Sequence, residues 1–264
     1  MRRKTNRIIV IIVMGLIIAG IGSWYLWLGT ANEPQTQENG QENELGQEEP
    51  YEESQTDEGG LEITEALRSD IDAGYLILVN RNHGLDRDYR PDDLVGIRYY
   101  AADRTPEARF MRATAANAFH DMVYEARRQG IEFVMTTAYR SYGFQSTLYN
   151  NHVATHGQEA ADRFSARPGH SEHQTGLAVD VSAASVNFQL RTAFSDTEEG
   201  RWIAENAHLF GFIIRYPESK EELTGFQYEP WHVRYVGLPA AAYIYTHGII
   251  LEEFLERLEQ ASQR

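Results

Sequence analysis

The sequence predicts an α+β fold, a small and mostly antiparallel central sheet flanked by helices, carried behind a single N-terminal transmembrane helix. Three observations lead there. Short apolar, β-branched runs and helical patterns interleave irregularly and not in strict alternation. No internal repeat is visible. The composition changes abruptly twice before residue 61, which separates the folded domain from what precedes it.

Residues 1–7 carry Arg2, Arg3, Lys4 and Arg7, a basic tail expected to stay in the cytoplasm. Residues 8–28 contain no charged side chain, and at roughly 1.5 Å per residue they are long enough to cross a bilayer core. Trp24, Tyr25 and Trp27 sit at the far end, where an interfacial aromatic belt belongs. A cleaved signal peptide is the rival reading, but its apolar region would be shorter. Residues 29–60 hold ten acidic side chains and no Lys or Arg, so they read as a solvated, self-repelling, disordered tether. Residues 61–264 are then an extracytoplasmic domain, and the expected location is the cell membrane with a single pass.

The total charge is −15; setting apart +4 in the N-terminal segment and −10 in the tether leaves −9 for residues 61–264. An acidic domain with no basic run argues against nucleic acid as a partner. The absence of cysteine excludes disulfides and thiolate ligands. A core must therefore hold the domain together, and about 200 residues are ample for one.

Within the domain, Leu76–Val79 reads as a buried strand. Thr105-Pro106 reads as a helix start, with the helix running to Gly130 and Met111, Ala115, Ala118, Met122 and Ala126 along its packed face. Residues 131–137 read as a strand, and after Tyr139-Arg140-Ser141-Tyr142 one helix follows to about Gly157 and another through Ala166. Leu177, Val179 and Val181 alternate with Ala178, Asp180 and Ser182 as in a half-buried strand whose Asp180 faces away from the apolar side. A helix over 198–210, strands at 212–214 and 233–236, and a helix from about 251 to 260 complete the reading.

Two blocks carry the chemistry. Ser171-Glu172-His173-Gln174-Thr175-Gly176-Leu177-Ala178-Val179-Asp180 and Glu229-Pro230-Trp231-His232-Val233-Arg234 together offer two imidazoles and a carboxylate. Such a set suits zinc and leaves one coordination position for water, and a carboxylate that is not a ligand can take that water's proton. A His-x6-Asp pair alone would be unremarkable among nine histidines; the small residues around it and the second histidine beside Glu229 raise its weight.

These blocks, with Tyr139-Arg140-Ser141-Tyr142-Gly143-Phe144-Gln145 and Ser165-Ala166-Arg167-Pro168-Gly169, resemble the VanY-type D-alanyl-D-alanine carboxypeptidases and the related L,D-carboxypeptidases, over most of residues 75–255. The resemblance implies one zinc ion, on the sheet, held by His173, Asp180 and His232, with Glu229 as catalytic base. It also implies that Arg140, Gln145 and Ser171 line the substrate pocket, with Arg140 acting on either the oxyanion or the substrate carboxylate. The expected activity is removal of a C-terminal D-alanine from peptidoglycan stem peptides, D,D-cleavage being favoured over L,D-cleavage. The rivals are a wall endopeptidase and a zinc-stabilised module that binds wall peptides without cutting them. The expected partners are stem peptides and the membrane, with the chain a monomer.

The remaining groups take plainer readings. His170 and Glu172 are expected to support the site, Arg234 to pair with an acid, His208 to be packed or capping, and Trp231 to be pocket wall or core.

Overall fold

The computed structural model describes residues 60–102 and 105–263. The predicted basic tail, the membrane span and all but the last residue of the tether lie outside them. Among the described residues no helix is long and apolar enough to cross a membrane.

The domain is α+β. Its main sheet has four strands, β3 (Val134–Thr137), β4 (Ala178–Ser182), β5 (Phe212–Ile214) and β6 (His232–Tyr235), in the order β3-β4-β6-β5, every pair antiparallel. A two-stranded ribbon, β1 (Leu94–Gly96) with β2 (Phe110–Arg112), stands apart. One face of the main sheet presents Met135, Val179, Val181, Phe212, Val233 and Tyr235 to α2 (Ala113–Arg128), whose Ala115, Phe119, Met122 and Ala126 complete the larger core. A smaller apolar cluster joins α1 (Glu65–Asp72), α7 (Leu238–His247) and α8 (Leu251–Ser262). Because strand side chains alternate, the opposite face of β4 and β6 carries Asp180, His232 and Arg234.

Four expectations need correction. Leu76–Val79 forms no strand, because the carbonyls of Tyr75 and Ile77 are taken by the guanidinium of Arg234 at 2.9 and 2.8 Å and not by a neighbouring strand. The helix expected from Thr105-Pro106 begins only at Ala113. Residues 107–109 make a 3₁₀ turn, and Phe110–Arg112 pair with β1 while the Ala108 and Phe110 carbonyls accept from Ala138 and Tyr139. Met111 is buried as expected, but from a strand. β3 starts at Val134, three residues later than read. β4 is buried along its whole length and not half-exposed, since its polar face lies beneath His173 and Arg140.

Other signals worked as read. Gly130 follows the end of α2 with φ +82°, and Ile131 N–H and Gly130 N–H donate to the Ala126 and Arg127 carbonyls, a Schellman ending. Ser141 caps α3 (Tyr142–His156) by accepting from Phe144 N–H, and α4 (Gln158–Phe164) follows. α5 (Glu198–Asn206) runs on into a 3₁₀ turn through Phe210.

The largest electrostatic cluster is buried at Glu172, Arg215 and Arg234 and reaches the surface only at Glu252. Glu172 Oε1 accepts from Arg215 Nε and Arg234 Nη1, each at 2.7 Å, and Arg215 donates its other two nitrogens to Glu252 at 2.7 and 2.9 Å. Two carboxylates thus balance two guanidiniums that have no solvent exposure. Such a cluster contributes little over apolar packing when complete, yet removing one partner strands the others. Glu172→Ala should therefore lower the unfolding free energy by about 3–5 kcal/mol in urea denaturation. In a double-mutant cycle with Arg215→Met, the double mutant should lose less than the sum of the two single losses.

Candidate active site

β4 and β6 place Asp180 and His232 directly opposite each other. His173 comes from the 3₁₀ turn Glu172–Thr175, which must end sharply for the chain to enter β4. Gly176 makes that end: its φ is +70°, and a Cβ there would lie 2.8 Å from Leu94. Thr175 secures the turn, its hydroxyl donating to the Glu172 carbonyl and accepting from Leu177 N–H.

His173, Asp180 and His232 are all buried, and one ligand atom from each lies within 4.8 Å of the others. Asp180 Oδ2 is 3.2 Å from His173 Nε2, and Oδ1 is 3.0 Å from His232 Nδ1. The imidazole planes are perpendicular. His173 Nδ1 faces the Ala138 carbonyl at 2.6 Å; a carbonyl only accepts, so Nδ1 carries the hydrogen and Nε2 is left with a lone pair aimed at the centre. That Nε2 is buried and makes no hydrogen bond among the described residues. On the outer side of His232, Nε2 faces Glu172 Oε2 at 3.4 Å. Each ring is thus anchored through one nitrogen and offers the other, the arrangement metal-binding histidines need. Two converging imidazoles, a carboxylate and an orphaned nitrogen fit a divalent cation.

Electrostatics divide the residues by role. Burial, helped by Arg140, holds His173 neutral, with its pKa down at about 4. Burial also disfavours charge on His232, but its bonds to Asp180 and Glu172 outweigh that and push it up to about 9. Asp180 and Glu172 are buried too, yet their partners keep both carboxyls well below the usual range. Burial dominates at Glu229 and pushes it up to about 8. Glu229 lies in the turn before β6, its Oε2 3.9 Å from His232 Nδ1, with its backbone N–H donated to the Tyr216 carbonyl.

Arg140 also reaches the centre, its Nη2 3.5 Å from Asp180 Oδ2. Its Nη1 donates to Gln145 Oε1 at 2.8 Å, and Gln145 Nε2 donates to the Ala166 carbonyl at 2.6 Å. Gln145, expected to line the pocket, is instead buried behind Arg140 with both ends of its amide engaged, so it braces the guanidinium. Ser171 does line the cleft, as do Arg140, Glu229 and the three centre residues. The cleft holds about 470 Å³.

Trp231 is both cleft wall and core. His170 is turned away from the centre, with Nδ1 at 2.8 Å from the Asn80 carbonyl. His208 stacks on Tyr245 at 3.6 Å. The sequence reading passed over Arg215 and Tyr216. Tyr216 is buried with its ring 4.9 Å from that of His232 and lines the cleft. The available signal was a charged residue closing the apolar strand Phe212-Ile213-Ile214.

A family profile described as VanY, D-alanyl-D-alanine carboxypeptidase, matches residues 108–238. YodJ of Bacillus subtilis (strain 168) is 41% identical over 187 residues, 70% of this chain and 68% of YodJ. A D-alanyl-D-alanine carboxypeptidase of Enterococcus faecium is 40% identical over 152 residues, 57% of this chain and 46% of the enterococcal enzyme's length. Among solved structures, the LdcB LD-carboxypeptidase superposes with a TM-score of 0.67 at 42% identity, covering 69% of this chain and 86% of LdcB. A mutant of the vancomycin resistance D,D-pentapeptidase VanY in complex with Zn(II) gives 0.58 at 35%, covering 69% and 98%. The chain belongs to the VanY family of carboxypeptidases.

If the centre binds a dication, saturating zinc should raise the thermal unfolding midpoint. A free concentration a hundred times Kd adds about 2.7 kcal/mol, or roughly 5–10 °C for a domain of this size. His173→Ala should abolish that shift while leaving the midpoint in chelator within a few degrees of the parent chain.

Proposed function

We propose that the protein is a zinc-dependent carboxypeptidase that removes the C-terminal D-alanine from peptidoglycan stem peptides, with D,D-cleavage the first reading. The observation that carries it is the convergence of His173, Asp180 and His232 with Glu229 and Arg140 inside one cleft. A binding module would have no use for a buried carboxylate beside such a centre. The complex of VanY with Zn(II) supports zinc as the ion. The complex of VanYB with D-alanine-D-alanine supports the substrate class.

His173, Asp180 and His232 would hold one zinc ion, which when bound lowers the pKa of its water and polarises the scissile carbonyl. Glu229 accepts the proton of the attacking water and passes it to the leaving amine. Arg140, fixed in place by Gln145, offers a charged fork to the oxyanion or to the substrate's terminal carboxylate. Ser171 adds a hydroxyl at the same wall of the cleft.

L,D-cleavage of tetrapeptide stems is the second reading, favoured by the higher TM-score and identity to LdcB. Membrane attachment through residues 8–28, a spacer over 29–60, an extracytoplasmic domain and a monomeric state belong to the same proposal. The basic, apolar and acidic segments support the first three.

Residues 61–264 incubated with zinc and defined muropeptides, with products read by mass spectrometry, test the activity. Loss of one alanine from the pentapeptide alone is expected; loss from the tetrapeptide would establish the L,D reading, and cleavage of neither would overturn both. Glu229→Gln should reduce turnover by about 10²–10⁴-fold with zinc content unchanged. A pure binder would bind peptide equally well with either residue.

A further inference from the structure

A second hollow of about 220 Å³ adjoins the cleft, sharing Ser165, Ala166 and Phe226 with it, and is otherwise walled by Arg81, Asp162, Arg167 and His170. Its charges do not cancel. Asp162 is already committed: Arg167 grips both of its oxygens at 3.0 and 2.8 Å, and Tyr149 donates its hydroxyl to it at 2.6 Å. Those bonds hold its carboxyl at about 2. Arg81 remains. No carboxylate lies within ion-pair distance of it among the described residues, although Asp162 is close enough to feel its charge.

Arg81 is exposed, yet its side chain is held in one place. One nitrogen donates to the Asp162 carbonyl, and the guanidinium lies over the Phe226 ring, 4.7 Å from its centre. The stem crosses Gly225, where a Cβ would meet Arg81 Cδ and Nε at 2.8 Å. The loop that carries it is fixed by Asn80, whose Oδ1 accepts from the Asn82 and His83 N–H groups and whose Nδ2 donates to Glu252. A surface arginine ordinarily wanders in solvent; this one is pre-organised, with donors left over, in a domain that is otherwise acidic. On the far side of the shared ridge the Ala166 carbonyl is tied to Gln145, and through it to Arg140.

We infer that this hollow is a subsite for a second carboxylate of the peptide substrate, upstream of the scissile bond, with Arg81 as its recognition residue. The inference rests on the carboxypeptidase reading for the placement of the peptide's C-terminus near Arg140. In a stem peptide such a carboxylate has two sources, the α-carboxyl of a γ-linked glutamyl residue or the side-chain carboxyl of a diaminopimelyl residue.

Binding measured by calorimetry to the Glu229→Gln chain in the presence of zinc tests the subsite independently of turnover. One pair of pentapeptides would differ only in a free or amidated glutamyl carboxyl, and a second pair only in diaminopimelate or lysine at the third residue. The free carboxylate of one pair should bind about fivefold more tightly, the size of an exposed charge-assisted contact, and that pair names the source. Adding Arg81→Gln should erase the difference while leaving the affinity for the member that lacks that carboxylate unchanged. Equal binding within both pairs, a preference that survives Arg81→Gln, or no binding of any peptide would overturn the subsite. A preference lost with Arg81→Gln, in a chain whose parent cleaves none of the peptides, would uphold the subsite and remove the carboxypeptidase reading instead.

Discussion

The carboxylate of Glu172 is the point to which the rest of the molecule is tied. It is fully buried and would be intolerable alone, but it receives a guanidinium from the residue after β5 and another from within β6. Its second oxygen faces the outer nitrogen of His232. Through Arg215 the same cluster reaches Glu252 in the first turn of α8, and through Arg234 it reaches the carbonyls that lead away from α1. The sheet, α8, the segment after α1 and the candidate centre therefore share one electrostatic knot. A glutamate adjacent to His173 in sequence thus orients the other histidine, 60 positions later.

That knot works because the sheet separates two kinds of surface. The period of two along β4 sends Val179 and Val181 into the core and Asp180 to the opposite face, and antiparallel pairing sets His232 against it. A slip of one residue would bury the carboxylate against α2 and expel the valines. The packing of α2, remote from the cleft, is thus what fixes the register of the ligand atoms. Gly176 contributes at the other end of β4, since only a residue free to adopt positive φ lets His173 turn back over Asp180.

These relations were unevenly legible in the sequence. The apolar alternation around Asp180 and the stop at Gly130 are local, and each appeared close to where it was read. α7 was passed over although Gly237, Pro239 and Gly248 bracket it with the usual start and stop residues. Leu76–Val79 misled because an apolar run tells of burial and not of pairing; its carbonyls are satisfied by Arg234 from far along the chain. The delayed start of α2 has the same origin, as strand pairing with residues 94–96 and bonds from residues 138–139 override the Thr-Pro signal. Around the centre, the residues in the two blocks were visible as a set. Gln145 was visible too, but its task was not, since bracing a guanidinium and touching a ligand leave the same letter.

α3 shows why the cleft wall could not be read from periodicity. Of its fifteen residues only Gln145 and Tyr149 are buried, so it lacks the apolar stripe of a core helix. Phe144, Leu148 and His152, spaced four apart, line the cleft instead, and Phe164 of α4 meets His152 edge-on at 5.1 Å. The cleft is consequently asymmetric, with charge gathered at Arg140, Asp180 and Glu229 and an apolar and aromatic wall extending away. On the proposed carboxypeptidase reading, a peptide bound there would gain hydrophobic contact along the wall and charge-assisted contact at Arg140. Wall and guanidinium would then be two separable contributions to binding. The bracing of Arg140 by Gln145, and of Gln145 by the Ala166 carbonyl next to Ser165, couples them mechanically: the ridge that borders the wall also sets the position of the charge.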